Sequence, residues 1–415
     1  MHGGSTPARI VGIKCTHDQF SLMTQKPKDR SADRQTTLGR SLLGMSLAEI
    51  ADLVAEAQEP AYRSRQIWNG VYKERVNDLA GISTLPKGLV ENLQGRGFEI
   101  GVPQISNRFQ SKDGTVRYLI ELADGETVET VWMPDGDDGE FGDGTEAGAE
   151  AAAMDRGWHR ATICVSSQVG CAVDCSFCLT AALGMRRNLS AGEIVGQVCA
   201  VLNDQQVSPP QDRINLVFMG MGEPFLNYES FVKAVRLLVE GVGVPEARMT
   251  VSTAGIVPRI EELGKEQVRP KLAISLNASN DQLRTELMPI NRKWNLEKLI
   301  EAAGRFPLRP REKLTFEYVL LGGVNDSEEN AREVVQLLRG LRAKVNLIAL
   351  NPGPGIEFHT PDAGHVSKFQ QLLVKNGIPA FVRRPRGRDI YAACGQLKRT
   401  TELVQIESGS SLEPF

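Results

Sequence analysis

Three closely spaced cysteines are the residues of this sequence best suited to chemistry. Cys171, Cys175 and Cys178 follow one another at spacings of four and three. They fit one tight loop, and their soft thiolates suit either zinc or an iron–sulfur cluster. Structural zinc sites usually take four ligands as two separated pairs, and no second pair follows here. The pattern favours a four-iron cluster with one open iron over a closed zinc site or three packing cysteines.

Two other cysteines lie where they could react. Cys164 precedes the triplet by seven residues, and Cys394 lies near the C-terminus behind a run of arginines. A single cysteine is more often a packing residue. Cationic surroundings favour the nucleophilic thiolate, and they would also hold a polyanion. Cys394 is therefore the stronger candidate, whereas Cys15 and Cys199 are interpreted as incidental. The arginines are Arg383, Arg384, Arg386 and Arg388.

Composition and length describe an ordinary globular protein. The 415 residues are 41% hydrophobic and 24% charged, which allows a barrel of about 200–250 residues with an appendage. No apolar run is long enough to span a membrane, and the N-terminus lacks a signal pattern. Seven cysteines, unevenly spaced, argue against a secreted disulfide framework. We expect a cytoplasmic protein without a membrane partner.

The formal charge of −3 hides an uneven distribution. Residues 135–155 contain eight acids and neither lysine nor arginine, so the rest of the chain is net positive. This Gly/Ala-rich insert cannot bury a core, and we expect it to be disordered. A basic face for a nucleic acid therefore stays possible.

The N-terminal third predicts a helical unit followed by a hairpin. Ser46 and Glu49 form a capping-box pattern before a helix, and Asp124-Gly125 is a hairpin turn between strands 116–122 and 127–132. Aromatic and cationic residues alternate in the helical unit. They suit either a solvated helix face with core aromatics or an RNA-docking surface. These residues are Tyr62, Arg63, Arg65, Tyr72, Lys73 and Arg75.

From residue 161 onward, apolar runs alternate with amphipathic stretches. This alternation predicts parallel βαβ units and a partial or full barrel with active groups at the carboxyl ends of its strands. The strand candidates are 161–166, 214–219, 248–252, 271–276, 314–320, 344–350 and 379–383. The helix candidates are 191–203, 229–240, 281–288, 295–303, 328–341 and 363–376.

Polar or glycine-rich turns follow five of these strands, and one of the turns carries the cysteine triplet. The other four begin at Met219, Ser252, Ser275 and Asn351. Each turn alone is weak evidence for a site, because most such turns only join a strand to a helix. Five on one rim are much stronger, since glycine lets the backbone approach a ligand closely.

Taken together, these features resemble the RlmN family of radical S-adenosylmethionine (SAM) RNA methyltransferases from about residue 43 to residue 400. The matching motifs span 62–68, 128–131, 164–178, 219–227 and 386–397. The resemblance implies an α/β fold: a partial (β/α)6 TIM-like radical SAM barrel with a small N-terminal helical domain and a β-hairpin extension. One departure is Leu179-Thr180-Ala181, where the family usually has a small residue and then Thr-Gly.

The resemblance and the chain pattern together give a domain organisation. The predicted segments are a leader at 1–42, an RNA-binding helical domain at 43–100, a hairpin linker at 101–160 that includes the insert 135–155, a barrel with the catalytic C-terminal segment at 161–400, and a tail at 401–415.

The resemblance also implies roles for individual residues. Cys171, Cys175 and Cys178 would ligate a 4Fe-4S cluster. Cys394 would become S-methylcysteine, and Cys164 would release the product. Glu129 would accept a proton, although its position on a hairpin strand would alone predict a solvated charge. The implied SAM-binding positions are Gly222, Glu223, Ser252, Ser275, Leu276, Asn277 and Asn351.

The implied reaction is methylation of carbon 2 of adenine in 23S rRNA and in tRNA. It would consume two SAM molecules per turnover, pass through a covalent RNA adduct and leave a disulfide that must be reduced. The implied partners are the two RNAs and a reducing electron-transfer protein such as a flavodoxin, and the enzyme would be a monomer. Two alternatives stay open: a Cfr-type enzyme acting on carbon 8, and a non-catalytic iron–sulfur RNA-binding protein.

Overall fold

A ten-stranded sheet is the central element of the protein. The structure is a computed structural model that describes residues 40–134, 160–393 and 395–397. The strands are β1 Arg40–Ser41, β2 Phe98–Glu99, β3 Gln104–Gln110, β4 Val116–Glu121, β5 Thr127–Pro134, β6 Arg160–Cys164, β7 Gln168–Gly170, β8 Met185–Asn188, β9 Arg213–Phe218, β10 Met249–Thr253, β11 Lys271–Ser275, β12 Leu314–Leu320, β13 Ala343–Ala349 and β14 Ala380–Arg383.

The α-helices follow or separate these strands. They are α1 Leu47–Glu56, α2 Arg63–Trp68, α3 Lys87–Gly95, α4 Leu179–Ala182, α5 Ala191–Asp204, α6 Tyr228–Leu237, α7 Val257–Leu263, α8 Asp281–Leu287, α9 Leu296–Arg305, α10 Glu328–Leu337 and α11 Ala363–Lys375. No helix among the described residues is long and apolar enough to cross a membrane.

The sheet has a parallel part and an antiparallel part. Its strand order is β14-β13-β12-β11-β10-β9-β6-β5-β4-β3. All neighbours from β14 to β6 run parallel, and those from β6 to β3 run antiparallel. Each predicted barrel strand matches an observed one within two residues at either end. The predicted fold class is confirmed.

The helices cover one face of the parallel strands. Phe218 of β9 packs on Phe231 of α6, and Tyr318 of β12 packs on Phe369 of α11. Side chains alternate along a strand, so the next residues along each strand point away from the helices. We call this second side the inner face. The register places Cys164, Ser252, Ser275, Glu317 and Asn346 on it.

The N-terminal helices form as the sequence predicts. The Ser46 hydroxyl accepts from the Glu49 N–H, and the Glu49 carboxylate accepts from the Ser46 N–H at 2.6 Å. Tyr72 is buried and donates to the carbonyl of Met45 at 2.7 Å. Arg75 is buried as well and binds Asn203 of α5 at 2.9 Å. Two of the six alternating aromatic and cationic residues therefore hold the helices in place.

The predicted hairpin is confirmed, with Gly125 in the left-handed conformation at φ +79° that the turn requires. β3 extends it to three strands and was not predicted. β5 pairs with β6 through Pro134 and Ala161, so the sheet continues from the hairpin into the barrel. The insert 135–155, the N-terminal leader up to residue 39 and the tail lie outside the described residues.

Several short elements were also missed: β1, β2, β7, β8, α4 and α7. Helix α7 buries only Ile260 and Leu263 along its seven residues, which is too little to produce a recognisable periodicity. The ribbon of β7 and β8 is shorter still. It lies on either side of the cysteine triplet and brings the two ends of that loop together.

Candidate active site

The cysteine loop lies between β7 and α4, above the end of β6. Cys178 donates its N–H to the carbonyl of Cys175 at 3.1 Å, and Asp174 turns the chain with φ +59°. Ser176 donates its N–H to the carbonyl of Leu287 at 3.0 Å. The loop is therefore held against the C-terminal end of α8.

The three thiols lie close enough to affect one another. Burial raises the pKa of Cys175, and the charges of Cys178 and Cys171 raise it further. Burial also raises the pKa of Cys171 to about 12. Three half-buried thiols, of which Cys171 and Cys175 resist ionisation, suit a cationic group that takes all three as thiolates.

Among the described residues, no three His, Cys, Asp or Glu side chains are grouped so that they could hold a single metal ion. The irons of a cubane occupy separate corners, so each cysteine of such a site binds its own iron. The donor set of Cys171, Cys175 and Cys178 therefore fits a 4Fe-4S cluster by its chemistry.

The glycine-rich turn after β9 packs against the segment that leads into the cysteine loop. A Cβ added to Gly222 would lie 2.5 Å from the Cβ of Gln168, and Gly222 has φ +96°. Both features require glycine. The Glu223 N–H donates to the Gln168 side chain at 2.8 Å. The two neighbouring rim segments are thereby joined.

Glu223 uses its carboxyl group to connect two strand ends. One oxygen accepts from the N–H of Ala254 at 2.6 Å, and the other accepts from the N–H of Phe225 at 3.0 Å. Burial raises the pKa of Glu223 to about 7 in spite of these bonds. Since each oxygen already has a partner, a ligand at this turn would meet mainly the backbone.

The next two strand ends bring together the predicted SAM-binding serines. The hydroxyls of Ser252 and Ser275 lie 3.2 Å apart on the inner face. Leu276 is fully buried, and its N–H donates to the carbonyl of Glu317 at 2.9 Å. Asn277 adopts φ +55° and accepts from the N–H of Val319 at 2.9 Å. Both serine hydroxyls can therefore serve one ligand, whereas Asn277 shapes its own turn.

Asn351 follows β13 on the same rim. It is buried, and its Oδ1 atom has no hydrogen-bond partner among the described residues. Buried amide oxygens are nearly always paired, so this atom suits a hydrogen bond from a donor group of a ligand.

Arg284 is a site residue that sequence reasoning missed. It is fully buried in α8, and its guanidinium donates to the carbonyls of Leu276 at 3.1 Å, Ser275 at 3.0 Å and Ala254 at 2.7 Å. It therefore holds the ends of β10 and β11 in place. A single arginine in an amphipathic stretch looks like a solvated charge, so the sequence gives no signal for this role.

Glu129 is not the solvated strand charge that its sequence position alone predicts. It is fully buried on β5 and forms an ion pair with the buried Arg117 of β4. Val131, two residues further on, pairs with Cys164, so Glu129 lies on the inner face as well. The hydroxyl of Ser166 donates to the carbonyl of Glu129 at 2.6 Å, which ties the hairpin to the start of the cysteine loop.

The C-terminal segment is fixed to the turn between β3 and β4. The Ser111 hydroxyl donates to the Asp389 carboxylate at 2.5 Å, and the Gly387 N–H donates to the Asp113 carboxylate at 3.0 Å. Arg386 donates to the carbonyl of Pro134 at 3.1 Å.

The end of this segment reaches the helix next to the cysteine triplet. The N–H of Leu179 donates to the carbonyl of Gly395 at 2.8 Å, and the Thr180 hydroxyl donates to the carbonyl of Leu397 at 2.8 Å. Cys394 itself lies outside the described residues, so its predicted role is untested. Its neighbour Gly395 is bonded to the residue that follows Cys178.

Comparison with known proteins gives the same family. The family model described as "Radical SAM superfamily" matches residues 165–335. The probable dual-specificity RNA methyltransferase RlmN of Koribacter versatilis is 66% identical over 348 residues, which cover 84% of this chain and 98% of that protein. The chain belongs to the RlmN family. This confirms the resemblance read from the sequence.

A second relative and a solved structure agree. The dual-specificity RNA methyltransferase RlmN of Campylobacter jejuni subsp. jejuni serotype O:2 is 44% identical, covering 83% of this chain and 94% of that protein. The crystal structure of a radical SAM methyltransferase from Sphaerobacter thermophilus matches with a TM-score of 0.77 and 42% identity, covering 87% of this chain and 99% of that one. The protein is thus a radical SAM RNA methyltransferase. Membership implies SAM and a 4Fe-4S cluster as cofactors.

Proposed function

We propose that the protein methylates carbon 2 of adenine in 23S rRNA and tRNA. In this scheme Cys394 carries the methyl group and Cys164 resolves a covalent adduct between protein and RNA. One observation carries the proposal: Gly395, the residue after Cys394, is hydrogen-bonded to Leu179, the residue after Cys178. A methyl-carrying cysteine must lie beside the site where SAM is cleaved, and this contact supports that arrangement.

The rim supplies the cofactor site in this proposal. Cys171, Cys175 and Cys178 would hold the 4Fe-4S cluster, leaving one iron open. When bound, the cluster and SAM supply a 5′-deoxyadenosyl radical. The implied SAM-binding residues are Gly222, Glu223, Ser252, Ser275, Leu276, Asn277 and Asn351. The close hydroxyls of Ser252 and Ser275 and the unpaired oxygen of Asn351 support this assignment.

The proposed reaction uses two cysteines with different roles, because carbon 2 of adenine is an electrophilic amidine carbon. Direct polar transfer from cationic SAM cannot reach it. Cys394 would first take a methyl group from one SAM onto its sulfur, and this S-methyl group would then give one hydrogen atom to the radical that the bound cofactors would supply. The resulting carbon-centred radical adds to adenine, which joins Cys394 to the RNA.

Release of the product requires a base and a second thiol. The adduct radical would lose its carbon 2 proton to Glu129 and return one electron to the bound cofactors, which restores the aromatic ring. The Cys164 thiolate would then attack the Cys394 sulfur. The carbon–sulfur bond breaks with its electron pair on the methylene carbon, which takes a proton and becomes the methyl group of the RNA. The disulfide that forms between the two cysteines must be opened by an external reductant. The position of Glu129 and Cys164 on the same inner face supports these roles.

The helical unit 43–100 is the proposed RNA-docking domain. Tyr62 is 55% exposed with Arg63 stacked on its ring, and Arg65 and Lys73 are exposed nearby. Exposed aromatic and cationic groups suit stacking on bases and binding of phosphates. We further propose that the enzyme is a cytoplasmic monomer, that it consumes two SAM per turnover, and that a flavodoxin-like protein supplies electrons.

Two alanine variants test the division of labour. Cys394→Ala has no sulfur to methylate, so it should never become attached to RNA. Cys164→Ala should add to adenine but fail to release it. It should therefore accumulate a protein–RNA species that survives denaturation and disappears on nuclease digestion.

The measurement is a denaturing gel of both variants purified from cells, with nucleoside mass spectrometry of the wild-type product. Bound RNA on both variants, or on neither, would contradict the proposed roles. A product methylated at carbon 8 would instead assign the chain to the Cfr type of activity. Absence of 5′-deoxyadenosine under reducing conditions would leave only a binding protein.

A further inference from the structure

Three polar residues form a row across the inner face, one strand apart. Ser275 of β11 pairs directly with Glu317 of β12, and Glu317 pairs directly with Asn346 of β13. Glu317 is 7% exposed and Asn346 is 6% exposed. The helices cover the opposite face of these strands, so the row points into the barrel.

The two buried side chains leave acceptors unused. Asn346 donates from its Nδ2 to one carboxyl oxygen of Glu317 at 2.9 Å. The Oδ1 atom of Asn346 is buried and has no hydrogen-bond partner in the described part of the chain. The carboxyl group of Glu317 makes no other hydrogen bond in that part of the chain, so its second oxygen is available as well. Buried polar atoms are rarely left unpaired, and two neighbouring acceptors indicate a ligand with two donors.

The carboxyl group of Glu317 is an unusual choice for this position. Burial raises its pKa, while the bond from Asn346 and the charges of Arg383 and Lys344 lower it. A carboxyl group on a buried strand face needs a compensating role, because an apolar residue would pack there at no electrostatic cost. The nucleotide-binding folds give one such role, in which a carboxylate accepts from ribose hydroxyls.

We propose that Glu317 and Asn346 bind the ribose hydroxyls of SAM. Two acceptors on neighbouring strands match the two vicinal hydroxyls of the ribose in number. Ser275, the third member of the row, lies 3.2 Å from Ser252, and both are SAM-binding positions in the proposed function. The inference therefore rests on that assignment and extends the pocket by two strands.

The test measures binding rather than turnover. The dissociation constants of SAM, its 2′-deoxy analogue and its 3′-deoxy analogue are measured by anaerobic equilibrium dialysis with the cluster-reconstituted protein. In the wild type, loss of a hydroxyl bonded to a carboxylate should weaken binding at least about tenfold. In Glu317→Gln, where the charge is gone but the shape is kept, the same loss should cost about threefold or less.

The dissociation constants of SAM and of each analogue are compared for the same variant. A partly damaged fold would affect both constants, so its effect cancels in their ratio. Thr315→Val is a matched control, because Thr315 lies two residues earlier on the same strand and face. It should keep the wild-type penalty for each hydroxyl. One of the two ribose hydroxyls should still matter for binding in Glu317→Gln. In Asn346→Ala, removing that hydroxyl from SAM should weaken binding less than it does in the wild type.

Equal hydroxyl penalties in the wild type and in Glu317→Gln would overturn the inference. So would unchanged SAM binding with weakened RNA binding, which would assign the pair to the target nucleotide. Neither result depends on which carbon of adenine is methylated. A failure of the proposed reaction would instead appear in the nucleoside analysis, while SAM binding stayed normal.

Discussion

The parallel and antiparallel parts of the sheet place their functional groups differently. In the parallel part, from β6 to β14, most candidate ligand-binding residues lie at strand ends or in the turns that follow them, with Glu317 and Asn346 as the mid-strand exceptions. Backbone atoms provide many of the contacts at these turns. For example, both carboxyl oxygens of Glu223 accept hydrogen bonds from backbone N–H groups. In the antiparallel part, Glu129 lies in the middle of β5 and meets Arg117 across the hairpin.

The two parts of the sheet therefore contribute two different sets of functional groups. Turns at parallel strand ends all face one rim and suit cofactor binding. A hairpin added at the edge of the sheet contributes side chains from its face instead. It also carries the β3–β4 turn, whose Ser111 and Asp113 hold the C-terminal segment at Asp389 and Gly387. We infer that the parallel part binds cofactors and the antiparallel part supports the later steps.

Glu129→Gln should separate these two parts with the largest effect. Loss of the proton acceptor should lower formation of methylated adenosine at least about 100-fold, the usual contribution of a general base. Reductive cleavage of SAM should persist, because every implied cluster and SAM residue belongs to the parallel part. Cys175→Ala should do the opposite and abolish the cluster absorbance together with SAM cleavage.

Stability measurements keep this result interpretable. Removing one partner of a buried ion pair costs about 3 kcal/mol, so thermal unfolding of Glu129→Gln must be followed beside its activity. Glu121→Gln is the control, since Glu121 is an exposed carboxylate on the same hairpin. Loss of SAM cleavage in a folded Glu129→Gln protein would break the comparison.

The sequence predicts the parallel part well for a physical reason. Buried parallel strands are short apolar runs, and their helices have amphipathic spacing, so both signals are local. The predicted helices from residue 191 onward begin within one residue of those observed. The cysteine loop and the glycine turn were recognised because their residue types are demanded by chemistry or by backbone conformation, as at Gly222.

The remaining site residues depend on contacts that are distant in sequence. Arg284 acts on carbonyls eight to thirty residues away, and Arg117 is neutralised across a hairpin. Glu317 and Asn346 gain meaning only when β12 and β13 pair. The hairpin register could have suggested the Arg117–Glu129 pair. Without it, a charge inside a strand pattern predicts a solvated position, which was wrong for Glu129.

Asp389→Ala should sharpen the comparison with a smaller effect. It removes the bonds that Ser111 and the Lys112 N–H donate to the C-terminal segment. We expect methylation to fall about tenfold, equivalent to ~1.4 kcal/mol, while SAM cleavage changes little. Trypsin should also cleave more rapidly after the arginines of this segment. These effects are measured by nucleoside analysis and by timed digestion.

Asp212→Ala is the matched control, because the Asp212 carboxylate also accepts a backbone N–H in a turn, from Ser208 at 2.7 Å, but far along the chain from the segment. Burial opposes ionisation of Asp113, yet the N–H groups of Gly387 and Thr115 hold its pKa below the usual value. The Asp113 contact is therefore present above the ordinary carboxyl pKa and is lost only as pH falls through the lowered value. Faster digestion at neutral pH in the wild type than in Asp389→Ala would contradict this role.

The smallest effect should come from the junction between the two parts. Deleting residues 136–155 removes most of the acidic connection between β5 and β6. Those strands pair directly through Pro134 and Ala161, so the sheet does not need the connection to stay continuous. Shortening it about fivefold should change the free energy of unfolding by only ~1.4 kcal/mol, in the stabilising direction, because closure entropy varies with the logarithm of length. Thermal unfolding and methylation should both stay near wild type. A loss of methylation beyond tenfold, with SAM cleavage intact, would mean that the insert takes part in the RNA step. The division of labour would then extend past the hairpin into the insert itself.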